Sequence, residues 1–176
     1  MAADIAAIPD GIIPRVVTIT DNHDLTLRVT EYTEPLKAGE DGSNKIKAVV
    51  DFYVTRKTLI ENSESDFIKK LLTTPEFTKQ GKGIINLDEH DPNAVEVILC
   101  AVYRKDEIWK SSALGREVIA RSLDLDWEDL WEVVVSNRYL SIKSVHLNEW
   151  FETWYERHGR SHERGSNLLY PCFVFN

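Results

Sequence analysis

The sequence predicts an α+β domain, with a small mixed sheet of about three strands near its start and a cluster of about five to six helices. Three observations carry this expectation. Residues Asp24 to Thr30 alternate strictly. Leu25, Leu27 and Val29 point to one side and Asp24, Thr26, Arg28 and Thr30 to the other, the period that a sheet with one buried face requires. Residues Ile46 to Val54 are β-branched and aromatic, with a denser apolar run, which suits a second strand paired with the first as a hairpin. From Arg56 onward the apolar period becomes helical, interrupted by only one further strand, and strands followed by helices make an α+β pattern.

The elements follow in order. Pro9-Asp10-Gly11 and Pro14 break any helix in the first 23 residues, which read as an N-terminal extension. Within it, Arg15 to Thr20 carries Val16, Val17 and Ile19 among threonines, so a short strand is possible there. Glu34 to Asn44 holds Pro35, Gly39 and Gly42 and reads as an exposed loop. Ser63 and Ser65 can each cap a helix, on which Phe67, Ile68, Leu71 and Leu72 share one face before Pro75 ends it. Gly81 and Gly83 precede a third strand, Ile84 to Leu87.

Asp91-Pro92 is a helix start, the carboxylate capping and the proline filling the first turn, where no N–H partner is needed. Val95, Ile98, Leu99 and Val102 follow as a buried stripe. Leu114, Val118, Ile119 and Leu123 suggest a short helix. Asp126 opens the next one, with Trp127, Leu130, Trp131 and Val134 facing inward. Ser141 caps a last helix whose Leu147, Trp150, Phe151 and Trp154 form another apolar stripe, ending near Gly159. Residues 157–176 read as a polar linker and then an abruptly apolar segment, Leu168 to Phe175, that either docks back on the domain or begins something longer.

Composition narrows the function. The 176 residues are 43% hydrophobic and 10% aromatic, enough for a real core. Lys plus Arg total 21 against 29 Asp plus Glu, a net charge of −8 that repels phosphate backbones and argues against direct nucleic-acid binding. No apolar run is long enough to cross a bilayer, and Met1 to Asp4 lacks the pattern of a secretory signal. Two cysteines, Cys100 and Cys172, make neither a disulfide scaffold nor a four-thiolate zinc site. The expectation is an intracellular protein of the nucleus or cytoplasm.

Four segments, in order, carry a family resemblance. Asp24-Leu25-Thr26-Leu27-Arg28-Val29 is similar to the opening strand of the BTB/POZ domain. Phe52-Tyr53-Val54-Thr55-Arg56-Lys57-Thr58-Leu59 resembles its second motif, with Ser63 and Phe67 near the Ser and Phe that follow. Ile85-Asn86-Leu87-Asp88, Pro92 to Val95 and Leu99 to Tyr103 resemble its strand-to-helix passage ending in Tyr. Leu130 to Leu140 resembles its later helix, with Tyr139 in the place of an Ala-x-x-Tyr-type motif. Together they cover roughly residues 24–155, and the expected domain is residues 24–156. Thr55 stands where the family has a His, no amphipathic first helix is recognisable before Asp24, and Lys105 to Leu125 is a longer intervening segment, as in the divergent BTB domains common in fungal proteins.

The resemblance implies a non-enzymatic protein–protein interaction module. Its partners would be copies of itself, other BTB proteins or a cullin scaffold, in transcriptional or ubiquitin-ligase assemblies. Asp24 and Arg56 would form the charged pocket near its partner-binding face. The swapping helix is missing, so self-association is expected to be weak. The loop Phe77-Thr78-Lys79-Gln80-Gly81-Lys82 lacks the apolar-x-Glu element of the cullin adaptors, so strong cullin binding is not expected.

The residues give no competing chemistry. His158 and His162 are four apart, but Gly159 lies between them and no third ligand is near. Asp88-Glu89-His90-Asp91 reads as helix capping rather than acid–base work. Gly81-Lys82-Gly83 is not a phosphate loop, neither cysteine sits in a nucleophile motif, and no cofactor or metal motif is found. The five Trp fall mostly at core spacing, and their number alone hints at a partner surface.

Overall fold

Pairing across the hairpin explains the alternation in the sequence. The computed structural model describes residues 12–32, 46–74, 83–88, 90–127, 129–143, 145–158, 171 and 174. Strand β2 (Leu25–Tyr32) runs antiparallel to β3 (Ile46–Val54), with Leu27 opposite Phe52 and Val29 opposite Val50. On the far side of β2 lies β4 (Gly83–Asp88), parallel to it, with Ile85 beside Leu27 and Leu87 beside Val29. These side chains share one buried face of the sheet.

The sheet has four strands rather than three. Strand β1 (Arg15–Thr18) lies parallel to β3, so the order is β1-β3-β2-β4. Val17 sits opposite Phe52, and Val17 and Ile19 belong to the core. The expected N-terminal extension therefore supplies part of the fold. Four residues are too few for alternation to stand out, which is why only a possible strand could be read there.

Seven helices are described, one or two more than expected: α1 (Arg56–Asn62), α2 (Asp66–Thr73), α3 (Pro92–Tyr103), α4 (Glu107–Ser111), α5 (Ala113–Ser122), α6 (Leu130–Leu140) and α7 (Val145–His158). Ser65 caps α2, its side chain accepting from the Ile68 N–H at 3.1 Å. Asp91 caps α3, its Oδ1 accepting from the Ala94 N–H at 2.8 Å, with Pro92 in the first turn. The expected stripe on α3 is an understatement. Every residue of this helix except Asn93 is buried, the signature of a helix enclosed by its neighbours. Its one buried carboxylate, Glu96, accepts from Arg121 Nε of α5 at 2.5 Å.

Three expectations about the later helices are corrected. Helix α6 starts at Leu130 rather than Asp126, with Asp129 as its N-cap. Leu130 and Val134 are buried, but Trp131 faces outward at 39% exposure, because adjacent helix positions differ by about 100° in direction. Ser141 adopts a left-handed φ of 52° and ends α6, its N–H bonding back to Arg138 and Asn137 carbonyls, instead of opening α7. Helix α7 keeps its expected face, with Leu147, Trp150, Phe151 and Trp154 buried. Arg157 and His158 form its last turn. Of the apolar C-terminal segment, Pro171 is buried and Val174 packs against the core.

Helices α4 and α5 meet at Gly115. A Cβ there would stand 2.0 Å from the Trp109 carbonyl oxygen and 2.8 Å from its carbon. Backbone has to move to relieve such a contact. Gly115→Ala is expected to cost about 1–3 kcal/mol or more, read from urea unfolding. An unchanged midpoint would show that the α4–α5 turn opens freely. No helix among the described residues is long and apolar enough to cross a membrane.

Candidate functional site

The hairpin register brings Asp24 and Arg56 together. Leu25 pairs with Val54, so the residue before β2 and the residues after β3 lie at one end of the sheet. The Asp24 N–H donates to the Val54 carbonyl at 3.2 Å, and the Arg56 N–H donates to Asp24 Oδ1 at 2.7 Å. A helix start leaves its first amides without internal partners. Thr55, the N-cap of α1, makes no capping bond with its side chain. Its hydroxyl donates instead to the Asn22 carbonyl at 3.0 Å. The cap is thus supplied from a distance. Asp24 takes the Arg56 amide, and the Tyr103 hydroxyl at the end of α3 accepts from the Thr55 N–H at 2.6 Å. Burial raises the Tyr103 phenol above its ordinary pKa, which keeps it neutral. Beside this corner the rings of His23 and Tyr53 stack at 4.2 Å.

A second charged pair was not singled out in the sequence. Arg28 and Asp51 sit directly opposite each other on β2 and β3. Nε and one terminal nitrogen of Arg28 donate to the two oxygens of Asp51, both at 2.8 Å. Their side chains are only 13% and 9% exposed, although they lie on the face of the sheet opposite Leu27, Val29 and Phe52. The bond to Asp51 raises the Arg28 pKa. The signal was present: an aspartate in the middle of the apolar run from Ile46 to Val54 needs a buried partner.

A third cluster joins three parts of the chain. Glu64, in a left-handed conformation between α1 and α2 (φ 53°), accepts from Lys105 and Lys143, each at 2.8 Å. His146 Nε2 lies 3.5 Å from the same carboxylate. The two lysines hold the Glu64 carboxyl down at about 2. Burial first, then Lys105, lowers the His146 pKa below its ordinary 6.5. Both shifts act in one direction. His146 is protonated more easily in the unfolded chain, so stability falls as the pH drops below 6.5, and the contribution of Glu64 is lost as the pH falls from 4.5 toward 2. Urea midpoints measured from neutral to acid pH are expected to decline across both windows. Lys143→Met should flatten the lower window. An identical decline in that variant would remove Glu64 as the cause.

The remaining candidates have structural partners. His90 is buried, its Nδ1 3.0 Å from the Ser136 hydroxyl. His158 Nε2 lies 2.8 Å from the Leu123 carbonyl, and His162 and Glu89 fall outside the described residues. Cys100 is buried, and burial pushes its thiol up to about 11, which leaves it unreactive. Cys172 and the loop from Phe77 to Lys82 also fall outside the described residues. An apolar void of about 20 Å³ between the sheet and α1 to α3 has room for about one water and no polar partner for it. An open cleft of about 520 Å³ lies between β1, β3 and the start of α3, where the helix N-terminus is already filled by Asp91. Among the described residues no group of three His, Cys, Asp or Glu could hold a metal. Comparison with known family models, with curated proteins and with solved structures finds no match to this chain.

Proposed function

We propose that this chain is a protein–protein interaction module of the BTB/POZ type, non-enzymatic, that brings partners together by homo- or hetero-association in transcriptional or ubiquitin-ligase assemblies. The observation that carries the proposal is the convergence at one corner of Asp24, Thr55, Arg56 and Tyr103. These come from three segments that carry the resemblance and lie far apart in sequence. The topology supports it further. The hairpin, the helix pair, the third strand beside the first and the enclosed helix ending at Tyr103 follow the order in which those segments occur.

The corner also separates a folding role from a binding role. Asp24→Ala removes the acceptor for the Arg56 amide, a loss of capping expected to cost about 1 kcal/mol. Asp24→Asn keeps an acceptor oxygen and loses only the charge, and Arg56→Gln keeps the backbone donor. Both are expected to melt within about 0.5 kcal/mol of the parent. If the pair is desolvated under a partner, each should weaken association by about 2–5 kcal/mol. Affinity purification from cells, followed by titration of the captured partner against the three variants, tests this. Equal affinity for the parent and Arg56→Gln would remove the corner from the binding surface.

A further inference from the structure

Helix α6 has an apolar face on both sides. Leu130, Val133, Val134 and Leu140 are buried in the core, yet Trp131, Val135 and Tyr139 are 39%, 55% and 55% exposed. Their spacing of four residues lines them up along about 12 Å of helix. Tyr139 is braced although half of it faces solvent. Phe67 of α2 meets its ring edge-on at 5.5 Å, and the His90 ring lies 4.6 Å away, itself tied to Ser136 of the same helix. A ring already held in place loses little freedom on binding, and Trp and Tyr are the residue types in which binding energy concentrates.

The start of the stripe is acidic. Asp129 precedes Trp131, Glu132 follows it, and Asp91 lies close enough to act on Glu132. Burial, with Asp91 and Asp129, raises the Glu132 pKa, and no ion pair among the described residues reaches it. Lys47 of β3 already acts on Asp91, so Glu132 is the carboxylate that an arriving cation would pair. A second copy of the chain would bring the same acids and another net charge of −8, whereas a partner with basic residues would not.

Resting on the interaction-module reading, we infer that Trp131, Val135 and Tyr139 form the docking surface for an amphipathic helix of a partner protein, whose Lys- or Arg-bearing end meets Glu132. A helix packs on such a ridge through its own apolar stripe, with anchors at matching three- and four-residue spacing.

The test uses the full chain with an amphipathic helical peptide of Leu and Lys, and its counterpart of Leu and Glu, read by the indole NMR signal of Trp131. The Leu–Lys peptide is expected to saturate and shift that signal, and the Leu–Glu peptide to leave it in place. Val135→Glu should weaken binding about tenfold or more with its melting unchanged. This outcome is diagnostic, because the added carboxylate would strengthen a purely electrostatic attraction to the peptide. Equal binding of both peptides overturns the basic end. Binding that leaves Trp131 unshifted, or that Val135→Glu spares, overturns the surface. A concentration-dependent dimer that Val135→Glu abolishes makes a second copy the occupant and overturns the partner assignment. A cellular partner retained by Val135→Glu but lost by Arg56→Gln keeps the module and rejects this surface. A chain that captures no partner by any route fails as a module, and the surface falls with it.

Discussion

Trp154→Ala is expected to lower the unfolding free energy by about 3–5 kcal/mol, the range for emptying a buried aromatic site. Trp154 is 1% exposed, and α7 is held to the domain by this side of its surface. Its ring lies 6.3 Å from Trp150, 6.1 Å from Phe151 and 5.4 Å from His158. Its indole N–H donates to the Leu125 carbonyl at 2.7 Å, so truncation opens a cavity and also leaves a buried acceptor without its partner. In a chain of this length the same loss lowers the melting temperature by roughly 6–20 °C. Trp154→Phe separates the two contributions. It restores much of the volume but not the donor, and should cost about 1–3 kcal/mol. Trp131→Ala, on the more exposed face of α6, should cost clearly less, about 0.5–2 kcal/mol. Urea unfolding of the three variants checks the order. A Trp154→Ala midpoint close to that of Trp131→Ala would mean that α7 is not part of the cooperative core.

Legibility in the sequence followed the strength of each local signal. The strand from Asp24 to Thr30 was readable because its alternation matches a sheet with one apolar face, and Leu25, Leu27 and Val29 are all buried. The start of α3 was readable because Asp91 and Pro92 are both specific to a helix N-terminus. Strand β1 was weak because parallel pairing with β3 is a long-range event that four residues cannot announce. Trp131 reads as inward in the sequence because a large apolar side chain favours the core, yet it faces outward. Hydrophobicity gives a preference for burial, and whether a face is covered depends on what packs there. Serine favours helix starts, so Ser141 reads as a cap, but a residue that closes one helix in a left-handed turn resembles it in sequence. At the candidate site, Asp24 and Arg56 were paired through the resemblance. Their actual contact, a carboxylate on a backbone amide, has no side-chain pattern to reveal it.

The Arg28–Asp51 pair should respond asymmetrically to mutation, and the asymmetry separates the worth of the pair from the penalty of breaking it. The two bonds at 2.8 Å make a bidentate contact, a geometry that adds direction to charge. Shielding on both sides of the pair means that either partner left alone is a poorly solvated charge. Because the pair lies on the outer face of the sheet rather than in the core and keeps some exposure, Arg28→Met is expected to cost about 2–4 kcal/mol, near the lower part of the range for a buried pair. Asp51→Leu alone should cost a similar amount, leaving the guanidinium with Asn86 as its remaining row neighbour in the register. The double variant removes both charges and places apolar side chains opposite each other across β2 and β3. It should recover most of the loss, since replacing a buried pair by packed apolar groups is often close to neutral. A coupling energy of about 2 kcal/mol or more in this double-mutant cycle, measured by urea unfolding, is the expected result. Purely additive losses would mean that each residue acts through its other neighbours. If the double variant is as stable as the parent but populates more than one species by NMR, the pair serves to fix the register of β2 on β3. A one-residue slip there would turn Leu25, Leu27 and Val29 out of the core, and the opposed charges would penalise it at once.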